Sequence, residues 1–153
     1  MIQSEYKELE EIKTLVDQFV TKTLPAKAWT HHTHLTVGLW YVSKFGKQEA
    51  SGQMPNLIKK YNEAIGKKNN DVSGYHETIT QYWIWLLDCY WQQVHEKMSL
   101  VNACNYLITS SFGNPTSYFT FYSKEKIFSV EARERFIEPD LQSLDSRFLD
   151  YNH

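Results

Sequence analysis

The feature that most constrains this chain is the run from Tyr75 to Glu96, YHETITQYWIWLLDCYWQQVHE. Tyr75, Tyr82, Trp83, Trp85, Tyr90 and Trp91 fall all round a helix drawn through it, with Ile79, Ile84, Leu86 and Leu87 between them. A helix that is apolar on every side belongs inside a domain. Twenty-odd residues at 1.5 Å rise make a rod of about 30 Å, roughly the width of a small domain. The remaining segments must therefore pack around it. The run opens on Tyr75-His76-Glu77, so polar chemistry is expected at one end of the central helix, where it meets the core.

The flanking sequence reads as helices of ordinary amphipathic pattern. Residues 4–23 carry Leu9, Ile12, Leu15, Val16, Phe19 and Val20 at three- and four-residue steps, with Ser4 as the expected N-cap. Thr30 caps a second helix from His31 to Phe45, and Gly46 ends it. A third, over 47–66, is weakened at Gly52 and restarts at Pro55. Gly66 to Gly74 is a polar connection in which Ser73 or Gly74 can cap the central helix. Leu100 to Leu107 is a short fifth helix, Ser110 to Pro115 a loop, and Ser123 and Ser129 are cap-like starts in the tail. Asp145 to His153 is a surface strap or frayed end.

No repeat, low-complexity segment or strand series is visible. At 153 residues the chain is sized for one domain, with a core over about 4–144. The expected fold is all-α: an irregular single-domain bundle of four or five main helices around the central aromatic helix at about 75–96.

Composition narrows the function classes. Net charge is −2 and no basic stripe appears, so a nucleic-acid partner is not expected. The pairs Lys59-Lys60 and Lys67-Lys68 read as solvated surface. No apolar run reaches the ~18–20 residues of a membrane span, and the first residues lack the 7–15-residue apolar stretch of a signal peptide. Cys89 and Cys104 lie inside helical patterns and read as buried, reduced thiols. A cytoplasmic protein without a membrane partner is the expectation; the sequence leaves oligomeric state open.

The chemistry that stands out is histidine. His31, His32 and His34 occupy the first turn of one expected helix and His76 that of another. His31 and His34 project within about 60° of one another at 100° per residue. One reading is a metal centre: His31, His34 and His76 as ligands of one divalent metal ion such as Zn or Fe, with Glu77 as fourth ligand or base. A second uses no metal. The positive end of the helix dipole disfavours imidazolium, and a neutral His accepts hydrogen bonds or acts as a general base, here His76 with Glu77. In that reading Tyr75 and Arg133 contact a small-molecule ligand. A third gives these residues structure only, with rings bonded to loop carbonyls and Glu77 partnering a cap. The aromatic run 82–91 is assigned to core. Arg133 and Arg135 are expected to pair with Glu131, Glu134 or Glu138.

An up-down-up path through the second, third and central helices would put both histidine clusters at the same end, about 8–10 Å apart. His31, His34 and His76 are then expected around one pocket, with Glu77 and Tyr75 at its edge.

Trp29-Thr30-His31-x-x-His34, Gly74-Tyr75-His76-Glu77-Thr78, Tyr122-Ser123-x-Glu125 and Glu131-Ala132-Arg133 leading to Glu138-Pro139-Asp140-Leu141 together resemble a family of small uncharacterised bacterial proteins. The resemblance covers residues ~29 to ~144. It implies a common fold and one site for the matching His, Glu and Arg positions, and it implies no activity. The chain lacks the later His-x-x-x-His of the DinB-like metal bundles. Three functions stay open: a small enzyme built on the histidines, a small-molecule binding or sensing domain, and a structural or interaction protein.

Overall fold

The polar ends and apolar stripes of the sequence resolve into six α-helices in the computed structural model, which describes residues 5–145 and Arg147. They are α1 (Leu9–Val20), α2 (His31–Ala64), α3 (Glu77–Val94), α4 (Leu100–Thr109), α5 (Lys124–Ile127) and α6 (Val130–Glu134). No strand occurs among the described residues. Nor is any helix among them long and apolar enough to cross a membrane.

Local chemistry sets most of the boundaries. In α1, Ile12, Val16 and Phe19 form the buried stripe. Ser4, the expected cap, lies outside the described residues, and Glu8 takes the N-cap position. The Glu11 carboxylate accepts from the Lys7 amide at 2.7 Å, which satisfies one exposed donor of that turn. Thr30 caps α2 as expected, its hydroxyl accepting from the Thr33 amide.

α2 is two limbs, 31–45 and 47–64, broken where Gly46 takes φ 84° and ψ 166°. That backbone region is almost closed to residues with a Cβ. The second limb passes through Gly52 and Pro55 without the expected restart. Pro55 has no amide hydrogen to offer the Ser51 carbonyl, and the Gln81 side chain of α3 donates to that carbonyl instead at 3.2 Å.

The central helix is shorter than the sequence implied and is not buried all round. Tyr82, Ile84, Leu86, Leu87, Tyr90 and Val94 are buried, whereas Trp83, Trp85 and Trp91 are half-buried. A tryptophan is often too large to be shut in completely. Its N-cap is His76, not Ser73 or Gly74: the ring Nδ1 accepts from the Ile79 amide at 3.1 Å. Gly74 serves the preceding turn. Its φ is +80°, and a Cβ there would lie 2.3 Å from the Lys68 carbonyl oxygen.

The core is rich in tyrosine, and each large ring brings a hydroxyl that must be matched. Tyr61 donates to the Leu24 carbonyl at 2.8 Å, Tyr90 to that of Ala103 at 2.6 Å, and Tyr122 to that of Ile137 at 2.7 Å. The first two tie the Leu24 loop to α2 and α4 to α3, and the third joins two segments of the C-terminal part. Cys104 is buried and Cys89 half-buried, and both are free thiols. His95 is exposed; His153 lies outside the described residues, as does most of the segment read as a strap, although Asp145 and Arg147 form an ion pair within it.

Candidate functional site

The first limb of α2 and the start of α3 open onto one cavity of about 880 Å³. His31, His34 and His76 all line it, and so do Tyr75 and Arg133. Each arrives by a local device already described: Thr30 starts the turn carrying His31 and His34, and the Gly74 turn delivers Tyr75 and His76. Glu77 is not on the cavity. It faces a neighbouring recess of about 330 Å³ that Tyr75 and Arg133 also border.

The three histidines differ in how their nitrogens are used. His76 is buried and fully committed: Nδ1 accepts from the Ile79 amide, and Nε2–H donates to the Ile127 carbonyl at 2.6 Å. A carbonyl only accepts, so the proton is on Nε2 and no free nitrogen remains to bind a ligand or take a proton. Its pKa lies below the ordinary imidazole value, because burial outweighs the Ile127 bond and the Arg133 charge adds to burial. His31 donates Nε2–H to the Gly113 carbonyl at 2.7 Å and sits edge-on to Trp83, with ring centroids 5.2 Å apart. Burial lowers its pKa too, against the Gly113 bond.

The His34 ring has no hydrogen-bond partner among the described residues; a ring neighbour is Trp29, edge-on at 3.9 Å. Its pKa is pushed down to about 4, first by burial, then by His31 and Lys67. Yet by surface area the residue is exposed. His34 is nonetheless one of the residues that line the cavity. At neutral pH His34 is an uncharged imidazole with one donor and one acceptor to offer.

This geometry gives the metal reading no support. Among the described residues no three His, Cys, Asp or Glu side chains gather so that they could hold an ion. The physical reason lies in the rings: His76 has both nitrogens bonded to backbone and His31 has one, so His31, His34 and His76 do not present three lone pairs to a common point. Glu77 is likewise engaged. Its carboxylate accepts a short hydrogen bond from the Tyr75 hydroxyl, and burial together with that bond raises the tyrosine pKa. His76 and Glu77 therefore offer no free acid–base pair to the cavity in this arrangement.

Arg133 departs from expectation in a different way. Arg135 pairs with Glu131, but Arg133 reaches across to the turn that precedes α3, donating from one terminal nitrogen to the carbonyls of Gly74 at 3.1 Å and Tyr75 at 3.2 Å. Among the described residues no carboxylate pairs with it. A guanidinium has five N–H donors, so most of them stay available while the carbonyls hold the group in place.

The sequence reading missed three contributors. Lys67 and Lys68 are exposed, as expected, and also border the cavity, and Trp83, taken as core, forms part of its wall. The lysines were within reach of the up-down-up reasoning: a connection ending at His76 must run past the end of the bundle that holds His31. No family model, curated protein or solved structure matches the chain. The cavity walls are aromatic and aliphatic, with Trp29, Trp83, Tyr118, Met54, Ile58 and Leu87 among them, and no aspartate or glutamate lines them.

Proposed function

We propose that this protein binds a small organic anion with an apolar, preferably aromatic, body. One observation carries the reading: Lys67, Lys68 and Arg133 border a largely apolar cavity that no carboxylate lines, in a chain whose net charge is −2. About 880 Å³ falls within the range of small-molecule sites, in which apolar walls bury the ligand and a few polar groups orient it. Covering ~150 Å² of an aromatic ring at about 25 cal/mol per Å² supplies roughly 4 kcal/mol, which the entropy cost of association largely offsets. The cations then decide which ligands stay bound. Of the residues that carry the family resemblance, Trp29, His31, His34, Gly74, Tyr75, His76 and Arg133 border the cavity, whereas Thr30, Glu77 and Thr78 do not.

The test is calorimetric titration with three ligands sharing one body: 3-phenylpropanoate, 3-phenylpropan-1-ol and 3-phenylpropylamine. The acid is expected to bind at least tenfold more tightly than the alcohol, with the amine weakest. Equal affinities, or no binding by any of the three, would overturn the reading. An enzymatic reading rests on His34, whose ring lines the cavity with neither nitrogen bonded, whereas His31 keeps one nitrogen on the Gly113 carbonyl. It requires a bound acid to be chemically altered, which mass spectrometry of the recovered ligand detects. Recovery of the acid unchanged counts for binding alone.

A further inference from the structure

We propose that His34 selects, among the organic anions the cavity takes, those carrying a hydroxyl or similar hydrogen-bonding group on the body. This deepens the proposed binding role and rests on it. The cavity has many apolar contacts to give and few polar ones. His31 and His76 have spent ring nitrogens on the Gly113 and Ile127 carbonyls. Thr80 donates its hydroxyl to the His76 carbonyl at 2.8 Å, and Asn62 donates its amide to Asn69 at 3.0 Å. His34 has made no such commitment and lies on the cavity with Trp29 set against its ring.

An apolar ligand body laid over His34 would strip water from a donor and an acceptor and return nothing. Leaving a buried polar group unpaired is costly, and sites built around such a group reject ligands that cannot pair with it far more strongly than sites with apolar walls reject an extra methylene. A neutral imidazole suits a hydroxyl especially well, since each partner both donates and accepts. Burial and the nearby Lys67 hold His34 in that neutral form. The charged end of the ligand belongs with Lys67, Lys68 and Arg133. The backbone that carries the two lysines is tied to the turn that holds Arg133, because the Ser73 hydroxyl donates to the Lys68 carbonyl while Arg133 donates to that of Gly74. The ligand class is thus a hydroxylated aromatic acid, and a plain fatty or aryl acid is the weaker ligand.

The experiment compares 3-phenylpropanoate with its 2-, 3- and 4-hydroxyphenyl counterparts, on the wild-type protein and on His34→Phe, by quenching of tryptophan fluorescence. At least one hydroxyl position is expected to bind roughly tenfold more tightly than the plain acid to the wild type. In His34→Phe that preference should vanish while the plain acid still binds, and His34→Asn should restore part of it. Because His34→Phe can lose its fold, the wild type is also followed by nitrogen NMR of its histidine rings. The His34 signals should shift when the preferred hydroxy acid is added and much less with the plain acid. If the acids bind but no hydroxyl position is favoured, or the preference persists in His34→Phe, the selectivity inference falls and the binding role stands. If none of the acids binds, both fall.

Discussion

The tyrosine core and the cavity treat their polar groups in opposite ways. In the core, the hydroxyls of Tyr61, Tyr82, Tyr90 and Tyr122 each have a protein partner between 2.6 and 2.8 Å. At the cavity, the His31 and His76 rings follow the same rule, but the side chains of His34, Lys67 and Lys68 have no hydrogen bond or ion pair among the described residues, and Arg133 has no carboxylate. Groups of the first kind stabilise the fold. Those of the second kind contribute little to it, and three of them carry the same sign of charge. They gather at the cavity of about 880 Å³, where the proposed ligand would sit.

The difference can be broken from the core side first. Leu86→Ala should cost about 3 kcal/mol in urea unfolding, since it opens a void in a site with no exposure. His76→Leu comes next. It removes the cap of α3 and leaves the Ile127 carbonyl without its donor, for a loss of about 2–3 kcal/mol. A loss under ~0.5 kcal/mol would mean that those two bonds are idle, and that His76 is as uncommitted as His34. Trp83→Ala is expected to cost only about 1–2 kcal/mol because the ring is half-buried, yet to weaken aryl-acid binding clearly. A large loss of stability with unchanged binding would return Trp83 to the core.

Acid sharpens the same contrast. Above pH 6.5 His34 is neutral in both the folded and the unfolded chain. As pH falls from 6.5 towards about 4, the unfolded chain takes up its proton and the folded one resists, so stability is lost over that window. His31 and His76, also lowered, act in the same direction. In His34→Phe the decline measured by urea unfolding at successive pH values should be shallower than in the wild type. An identical decline would mean that His34 is not desolvated.

Much of this architecture is legible in the sequence because it rests on local rules. The Thr30, Ser123 and Ser129 caps, the break at Gly46 and the stripe Ile12-Val16-Phe19 each follow from residue type and spacing. The presence of His31, His34 and His76 on one cavity is open to the same kind of reasoning through helix direction. The use of each ring is not. Whether a histidine is spent or free depends on the carbonyls of Gly113 and Ile127, which lie 82 and 51 residues away in the chain. The Arg133 partners, 58 and 59 residues away, are hidden for the same reason. Periodicity likewise marks Trp83 as apolar without saying whether the apolar surface it meets is protein or empty space.

The central claim is that the cations at the cavity serve a ligand and not the fold. The double variant Lys67→Gln/Lys68→Gln tests it most directly, with melting temperature and 3-phenylpropanoate affinity measured on the same samples. Neither lysine makes an ion pair among the described residues, so melting should stay within about 2 °C of wild type, while acid affinity should fall about tenfold, or ~1.4 kcal/mol. A protein that melts much earlier yet binds the acid as tightly as wild type would contradict the account.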